Sequence, residues 1–233
     1  MKKIKGFSKG VSLIASKILQ GLKNKNIIFV AVTGISGSGK SEFVHRLKGL
    51  LGNKKIGFSS INTDNFYKPG TRELNIKKLH QAIRNKYEKF EATGGIVIVD
   101  SVHAFDNEVF TKPADLKVYL HSPFWECLFR RLVRDSRNGR VKINDRLKQV
   151  VTKTAAGNYS LKKIKNKIPE KSSVDYLIYN DYVEAGNPQI YISNSNLCFL
   201  QNNHIRGKVE VTPQESKKLQ KIGIKLLKND NSE

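Results

Sequence analysis

Short apolar runs alternate with longer amphipathic segments through the middle of the sequence. Strands are predicted at or near five segments: NIIFVAV, IGFSSINT, GIVIVD, LKVYLH and VDYLIYN. Between them, apolar residues recur every three or four positions, which is typical of helices with one buried face; the clearest sets are Phe43, Leu47 and Leu50, and Ile76, Leu79, Ile83, Tyr87 and Phe90. Because fully apolar strands are buried on both faces, the pattern predicts an α/β fold, with a mostly parallel sheet between two layers of helices.

The amino-terminal segment, residues 1–25, carries an apolar stripe at helical spacing with lysines on the other side; the stripe is Ile4, Phe7, Val11, Ile14, Ile18 and Leu22. We favour the interpretation that this helix packs on its own domain. The alternative is peripheral contact with a membrane surface. Lys17 interrupts the apolar stretch and no small-residue cleavage site follows, so we do not expect a secretion signal.

The carboxyl-terminal segment has a different pattern. QIYISNSNLCFLQNNHIRGKVEV contains short β-like pieces around turns with Asn and Gly. TPQE, Thr212 to Glu215, has both members of a capping box and predicts the start of a last helix. We therefore expect a main domain at residues 26–187, with small extensions at 1–25 and 188–233.

The net charge of +22 is concentrated in two segments. Residues 1–25 contain seven lysines and no acid, and residues 130–171 contain fourteen Lys and Arg against three acids. Anions are therefore the expected partners, and the charge alone leaves nucleotides, nucleic acid and acidic lipid open. A lysine-rich proteome would give a similar excess without any function.

Composition excludes several classes of protein. Cys127 and Cys198 are too few for a disulfide framework, and histidines do not cluster around them as a zinc site requires. The sequence has no run of about 18 apolar residues that would predict a membrane span. A soluble cytoplasmic protein with one main domain is expected.

The segment VTGISGSGKS follows the predicted strand NIIFVAV and precedes a predicted helix. Its spacing matches the phosphate-binding loop G-x-x-x-x-G-K-[ST]. Glycines let backbone N–H groups turn inward around a polyphosphate, and the positive end of the following helix points to the same place. Lys40 is predicted to contact the β- and γ-phosphates of ATP, and Ser41 to hold Mg²⁺. The predicted ATP-binding residues of the loop are Gly34, Ile35, Ser36, Gly37, Ser38, Gly39, Lys40 and Ser41.

Two aspartates follow predicted strands: Asp64 in INTDNFYKPG and Asp100 in GIVIVDSVHAF. The carboxyl ends of parallel strands meet at one edge of a sheet, so both should lie near the glycine-rich loop. One carboxylate can support Mg²⁺ while the other accepts a proton from an attacking hydroxyl. Either aspartate could instead be a simple helix cap.

Four segments, GISGSGKS, TDNFYKP, IVIVDSVHAF and RRLVRDSRNGR, have the order and approximate spacing found in the uridine kinase and phosphoribulokinase family. The chain resembles this family from about residue 26 to residue 182. The resemblance implies a P-loop kinase fold that uses ATP and Mg²⁺. It also implies that Asp64 is the catalytic base, that Asp100 is the Walker B acid, and that Tyr67 and His103 contact the acceptor.

The arginine-rich segment resembles the mobile lid of the family, at about residues 130–145. By this resemblance, Arg131, Arg134 and Arg140 hold the phosphates of ATP and the transferred group. Arginines presented from a helix end can close over a polyanion and exclude water. The alternative is a solvated basic helix face.

The chain departs from the family pattern in three places. Asp100-Ser101 stands where the family usually has Glu-Gly, and the lid is one residue shorter than in uridine kinases. Only 28 residues lie between Tyr67 and Ile96, and the base-binding hairpin of the family has no evident counterpart there. The leading prediction is an ATP-dependent kinase of a small hydroxyl compound, preferably a nucleoside. The alternatives are a nicotinamide riboside kinase-like enzyme, a nucleic-acid-binding P-loop protein, and a degenerate kinase.

Overall fold

The computed structural model describes most of the chain: residues 1–52, 54, 56–71, 73–102, 112–123, 126–128, 130, 131, 134, 142–155, 174–180, 189–193, 195–201, 204–221 and 224–226. The chain divides into two compact units. The first contains Met1–Ser122 and Pro169–Tyr182, and the second contains Pro123–Ile168 and Val183–Glu233.

A parallel sheet of six strands forms the centre of the first unit. The strands are β1 (Lys2–Lys5), β2 (Ile27–Thr33), β3 (Gly57–Asn62), β4 (Gly95–Asp100), β5 (Leu116–His121) and β6 (Tyr176–Tyr179). In space they follow the order β1-β6-β5-β2-β4-β3, and every neighbouring pair is parallel. The fold is therefore α/β with a parallel sheet, as the apolar runs predict.

Helices cover both faces of this sheet. They are α1 (Phe7–Gly21), α2 (Lys40–Gly52), α3 (Ile76–Phe90) and a short 3-10 helix (Thr63–Phe66). Successive residues of β2 face opposite sides. Val30 and Val32 join one apolar cluster with α1 and α2, whereas Phe29 and Ala31 join another with α3. Both faces of β2 are apolar, so one apolar core forms on each side of the sheet. The first unit thus has three layers.

The amino-terminal segment is part of the first unit. The stripe on α1 is buried in the core, with Ile14 and Ile18 fully inaccessible, as expected for a helix that packs on its own domain. The extent of the helix was predicted wrongly, because Ile4 lies in β1 and Gly6, at φ 101°, separates the strand from the helix. None of the helices in the described part of the chain has the length and apolar character needed to cross a membrane.

The apolar face of α2 differs by one residue from the prediction. Phe43 and Leu47 are buried, but Leu50 is 48% exposed and Leu51 is buried instead. Positions 47 and 51 are four apart and lie on the same side of a helix, so the core takes the second of two adjacent leucines.

The described elements of the second unit are α4 (Ile143–Ala155), β7 (Gln189–Ser193), β8 (Asn196–Gln201), β9 (His204–Glu210), α5 (Pro213–Lys221) and β10 (Lys225–Leu226). The strands β7, β8 and β9 form an antiparallel meander, and β10 pairs in parallel with β7. Apolar residues of α4, β8 and α5, among them Leu147, Phe199 and Leu219, share one core. The predicted capping box is confirmed: the Thr212 N–H donates to Glu215 Oε2 at 2.9 Å, and the Glu215 N–H to Thr212 Oγ1 at 3.2 Å.

Candidate active site

The glycine-rich turn connects the carboxyl end of β2 with the amino end of α2. Gly34, Gly37 and Gly39 have φ angles of 149°, 88° and 92°, which residues with a side chain rarely adopt. A Cβ on Gly34 would lie 2.4 Å from the carbonyl oxygen of Leu120, so the turn also packs closely on β5. The helix begins at Lys40, and its first N–H groups have no partner within the helix. The sequence therefore forms a backbone cradle for an anion.

Lys40 lies over this cradle. Its Nζ donates to the carbonyl oxygens of Gly34 at 2.9 Å and of Ile35 at 3.3 Å. The turn is tightened further because the Ser38 N–H donates to Ile35 O at 3.0 Å. The eight residues predicted to bind ATP are therefore a continuous segment, a turn followed by the first two residues of α2, with the Lys40 ammonium group beside the turn.

Ser41 and Asp100 meet at the edge of this turn. Ser41 Oγ donates to Asp100 Oδ2 at 2.9 Å. Asp100 is the last residue of β4 and pairs in register with Val32 of β2, so the strand pairing places it next to the loop. The residue is 6% exposed, and this burial raises the pKa of its carboxyl. The nearby charge of Asp64 raises that pKa as well, whereas Lys40 and the bond from Ser41 lower it.

The Ser41–Asp100 pair fits Mg²⁺. Its hydroxyl and carboxylate are the hard oxygen donors that this ion prefers, and Mg²⁺ in nucleotide sites takes its other ligands from phosphates and water. Within the described residues, no group of three or more His, Cys, Asp or Glu side chains could form a cage made of protein alone.

Asp64 lies in the 3-10 helix that follows β3. Asn62 caps this helix, with the Asp64 N–H donating to Asn62 Oδ1 at 2.8 Å. Asp64 is exposed, and its charge acts on two neighbours: it raises the pKa of Asp100, and it adds to the burial that raises the pKa of Tyr67. The structure thus brings Asp64, Asp100 and Tyr67 together at the edge of the sheet where the loop lies.

Two hydroxyl groups tie this edge together. Thr63 Oγ1 donates to Ser101 Oγ at 2.9 Å, and both residues are buried. The bond joins the residue before Asp64 to the residue after Asp100. Sequence reasoning missed this contact, although Ser101 was already visible as a departure from the family pattern.

The acceptor side contains a short turn. Tyr67 and Leu74 form an isolated antiparallel bridge, and Lys68 N donates to Glu73 O at 2.9 Å. An ion pair of 2.8 Å joins the side chains of Lys68 and Glu73. A short turn therefore occupies the segment where no counterpart of the base-binding hairpin was evident.

The remaining predicted site residues belong to the second unit or are not described. Arg131 and Arg134 are helical and belong to the second unit, with Arg131 half-buried and Arg134 exposed. Arg140 and His103 lie outside the described residues, as does the whole segment between Arg134 and Lys142.

Comparison with known proteins shows distant relatives. The uridine kinase of Ureaplasma urealyticum serovar 10 is 21% identical over 216 residues, which cover 78% of this chain and 92% of the relative. A uridine kinase of Ureaplasma parvum serovar 3 is 20% identical over 219 residues, which cover 79% and 93%. The chain is thus similar in sequence to these uridine kinases. The predicted resemblance to this family is confirmed, and the aligned part extends beyond the segment that carries the motifs.

Other comparisons are weaker. No family model matches the chain. A solved structure described as a possible uridine kinase from Bacillus stearothermophilus has a TM-score of 0.39 and 15% identity, and covers 55% of this chain and 88% of that one. The APS kinase CysC of Mycobacterium tuberculosis has a TM-score of 0.37 and 21% identity, and covers 49% and 75%.

Proposed function

We propose that this protein is an ATP-dependent kinase that transfers the γ-phosphoryl group of ATP to a hydroxyl group of a small molecule, preferably a nucleoside. One observation carries the proposal: the Ser41–Asp100 pair lies beside a glycine-rich cradle and Lys40, and Asp64 lies at the same edge of the sheet. A cation, a metal-binding oxygen pair and a free carboxylate are the parts that phosphoryl transfer needs.

Each residue then has a distinct role. The N–H groups of the loop and the start of α2 bind the phosphates, and Lys40 moves from the loop carbonyls to the phosphate oxygens. Ser41 and Asp100 hold Mg²⁺, which neutralises charge on those oxygens when bound. Asp64 accepts the proton of the attacking hydroxyl, a role that suits its exposed position.

The choice of a nucleoside rests on the relatives named uridine kinase. Tyr67 is the candidate for contact with the acceptor, because it is half-buried beside Asp64. His103 is proposed for the same task on the family resemblance alone. Because the turn from Tyr67 to Leu74 is short, a different ribose compound such as nicotinamide riboside is the alternative acceptor.

The family resemblance also supports a lid. We propose that Arg131, Arg134 and Arg140 close over the phosphates and the transferred group. Guanidinium groups suit this task because they bind phosphate oxygens with two parallel hydrogen bonds.

A direct assay tests the proposed function. Purified protein is incubated with ATP, Mg²⁺ and single candidates from a panel of uridine, cytidine, adenosine and nicotinamide riboside. ADP release and the mass of the product are measured, and Lys40→Ala serves as the inactive control. Phosphorylation of one acceptor that disappears in the control supports the proposal. Failure to bind ATP, together with salt-sensitive binding of oligonucleotides, would instead indicate a nucleic-acid-binding protein.

A further inference from the structure

Asn180 lies directly after β6 and contacts the phosphate-binding loop. Its backbone N–H donates to the carbonyl oxygen of His121 at 2.8 Å, which fixes it to the end of β5. The residue is 4% exposed, and its side-chain Nδ2 donates to the carbonyl oxygen of Ser38 at 2.7 Å. The hydroxyl of Ser122 lies 3.5 Å from the same carbonyl, which is a weaker contact.

The amide of Asn180 also lies against Gly39. A Cβ on this glycine would be only 2.4 Å from Asn180 Nδ2. Position 39 therefore needs glycine for two reasons, namely its φ angle of 92° and the space that the amide occupies. The carbonyl of the Ser38–Gly39 peptide bond thus accepts a hydrogen bond from Asn180. The same amide group lies close to the Cα of Gly39.

We propose that Asn180 is a positioning residue of the nucleotide site. A trans peptide is planar, so its N–H points opposite to its carbonyl. With the Ser38 carbonyl held by Asn180, the Gly39 N–H points away from Asn180 and toward the inside of the loop, where it donates to the polyphosphate. This inference rests on the proposed function, because it assumes that the loop binds ATP.

Calorimetric titration with ATP in Mg²⁺ tests the inference on the full chain. Asn180→Ala should weaken ATP binding about 3- to 10-fold, the range for one neutral hydrogen bond. Turnover at saturating ATP should stay close to wild type, because the loop contacts phosphate before and during transfer. The control is Asn75→Ala, which also removes an asparagine bond to backbone, from the Lys78 N–H at 3.1 Å, and should leave ATP affinity unchanged.

Asn180→Asp gives a second test with almost the same shape. A protonated carboxyl can donate to the Ser38 carbonyl, whereas a carboxylate cannot and also repels phosphate. The ATP affinity of this variant relative to wild type should therefore rise as the pH falls from about 8 to 5. A merely structural asparagine would show no such pH dependence.

The outcomes are distinguishable. If wild type binds ATP and both folded variants bind it equally well at every pH, the inference is wrong and the proposed function stands. If Asn180→Ala does not fold, the pH profile of Asn180→Asp decides in the same way. If wild type binds no ATP, both the proposed function and this inference are overturned.

Discussion

Asparagine in place of Asp100 keeps the shape of the side chain and removes its charge. The Ser41 hydroxyl can still donate to an amide oxygen, so the 2.9 Å contact can persist. In the proposed site, however, Asp100 and Ser41 would hold Mg²⁺ together, and an amide oxygen is an uncharged and weaker donor for this ion. Loss of even an outer partner of a metal ligand typically weakens metal binding about 10- to 100-fold, or about 1.4–2.8 kcal/mol. We expect at least that increase in the Mg²⁺ concentration needed for half-maximal rate.

Asp100→Asn weakens metal binding in this proposal, but it should not destabilise the protein without ligands. Burial raises the pKa of Asp100 above its ordinary value of 3.8. The stability linked to this group is therefore present below pH 3.8 and is lost as the pH rises through the raised value. At neutral pH the carboxylate is a cost to folding, and Asp100→Asn without ligands should melt at the same temperature as wild type or higher.

Asp115 offers a matched control. Its carboxylate accepts from the Phe29 N–H at 2.8 Å and pairs with Lys25. Asp115→Asn loses the ion pair and should lower the melting temperature without changing the Mg²⁺ requirement. Melting curves without ligands and rates over a Mg²⁺ series at saturating ATP would test both variants. A lower melting temperature for Asp100→Asn with an unchanged Mg²⁺ requirement would refute the metal role.

Three further outcomes are expected. Asp64→Asn should reduce turnover about 10²- to 10⁴-fold while calorimetry shows unchanged ATP affinity, as for a lost general base; equal losses in both would contradict that role. Ile14→Ala should reduce the free energy of unfolding by about 2–5 kcal/mol in a denaturant titration. Its control Ser12→Ala, on the exposed side of α1, should stay within about 0.5 kcal/mol. Arg134→Ala should lower turnover much more than ATP affinity, with partial rescue by lysine; unaltered kinetics would exclude a lid role for this residue.

The main sheet could be predicted from the sequence because its central strands are apolar along their whole length. β1 could not, since its residues KKIK include a single apolar side chain and its place depends on β6. The second unit shows the same limit. Its short strands and the capping box were predictable, but the core that α4 shares with β8 and α5 depends on contacts between distant segments.

The candidate site, too, could be predicted from the sequence only in part. The loop and the two aspartates were predictable because parallel strands end at one edge. The hydroxyl pair of Thr63 and Ser101 depends on the register of β3 against β4, which no local pattern encodes. The contact between Asn180 and Ser38 joins residues 142 positions apart. Its only signal in the sequence was that Asn180 ends a strand at the same edge.

The position of β1 has a consequence for synthesis on the ribosome. Lys2 pairs with Tyr176, so β1 finds its partner strand only after about 170 further residues have been added. At 5–20 residues per second, this wait is roughly 10–35 s. During that time the part of α1 that packs on β6, where Gly10 lies against Ile178, has no surface to cover it. This face of α1 therefore stays in contact with solvent until β6 has been made, although β2 and α2 can pack on the rest of the stripe much earlier.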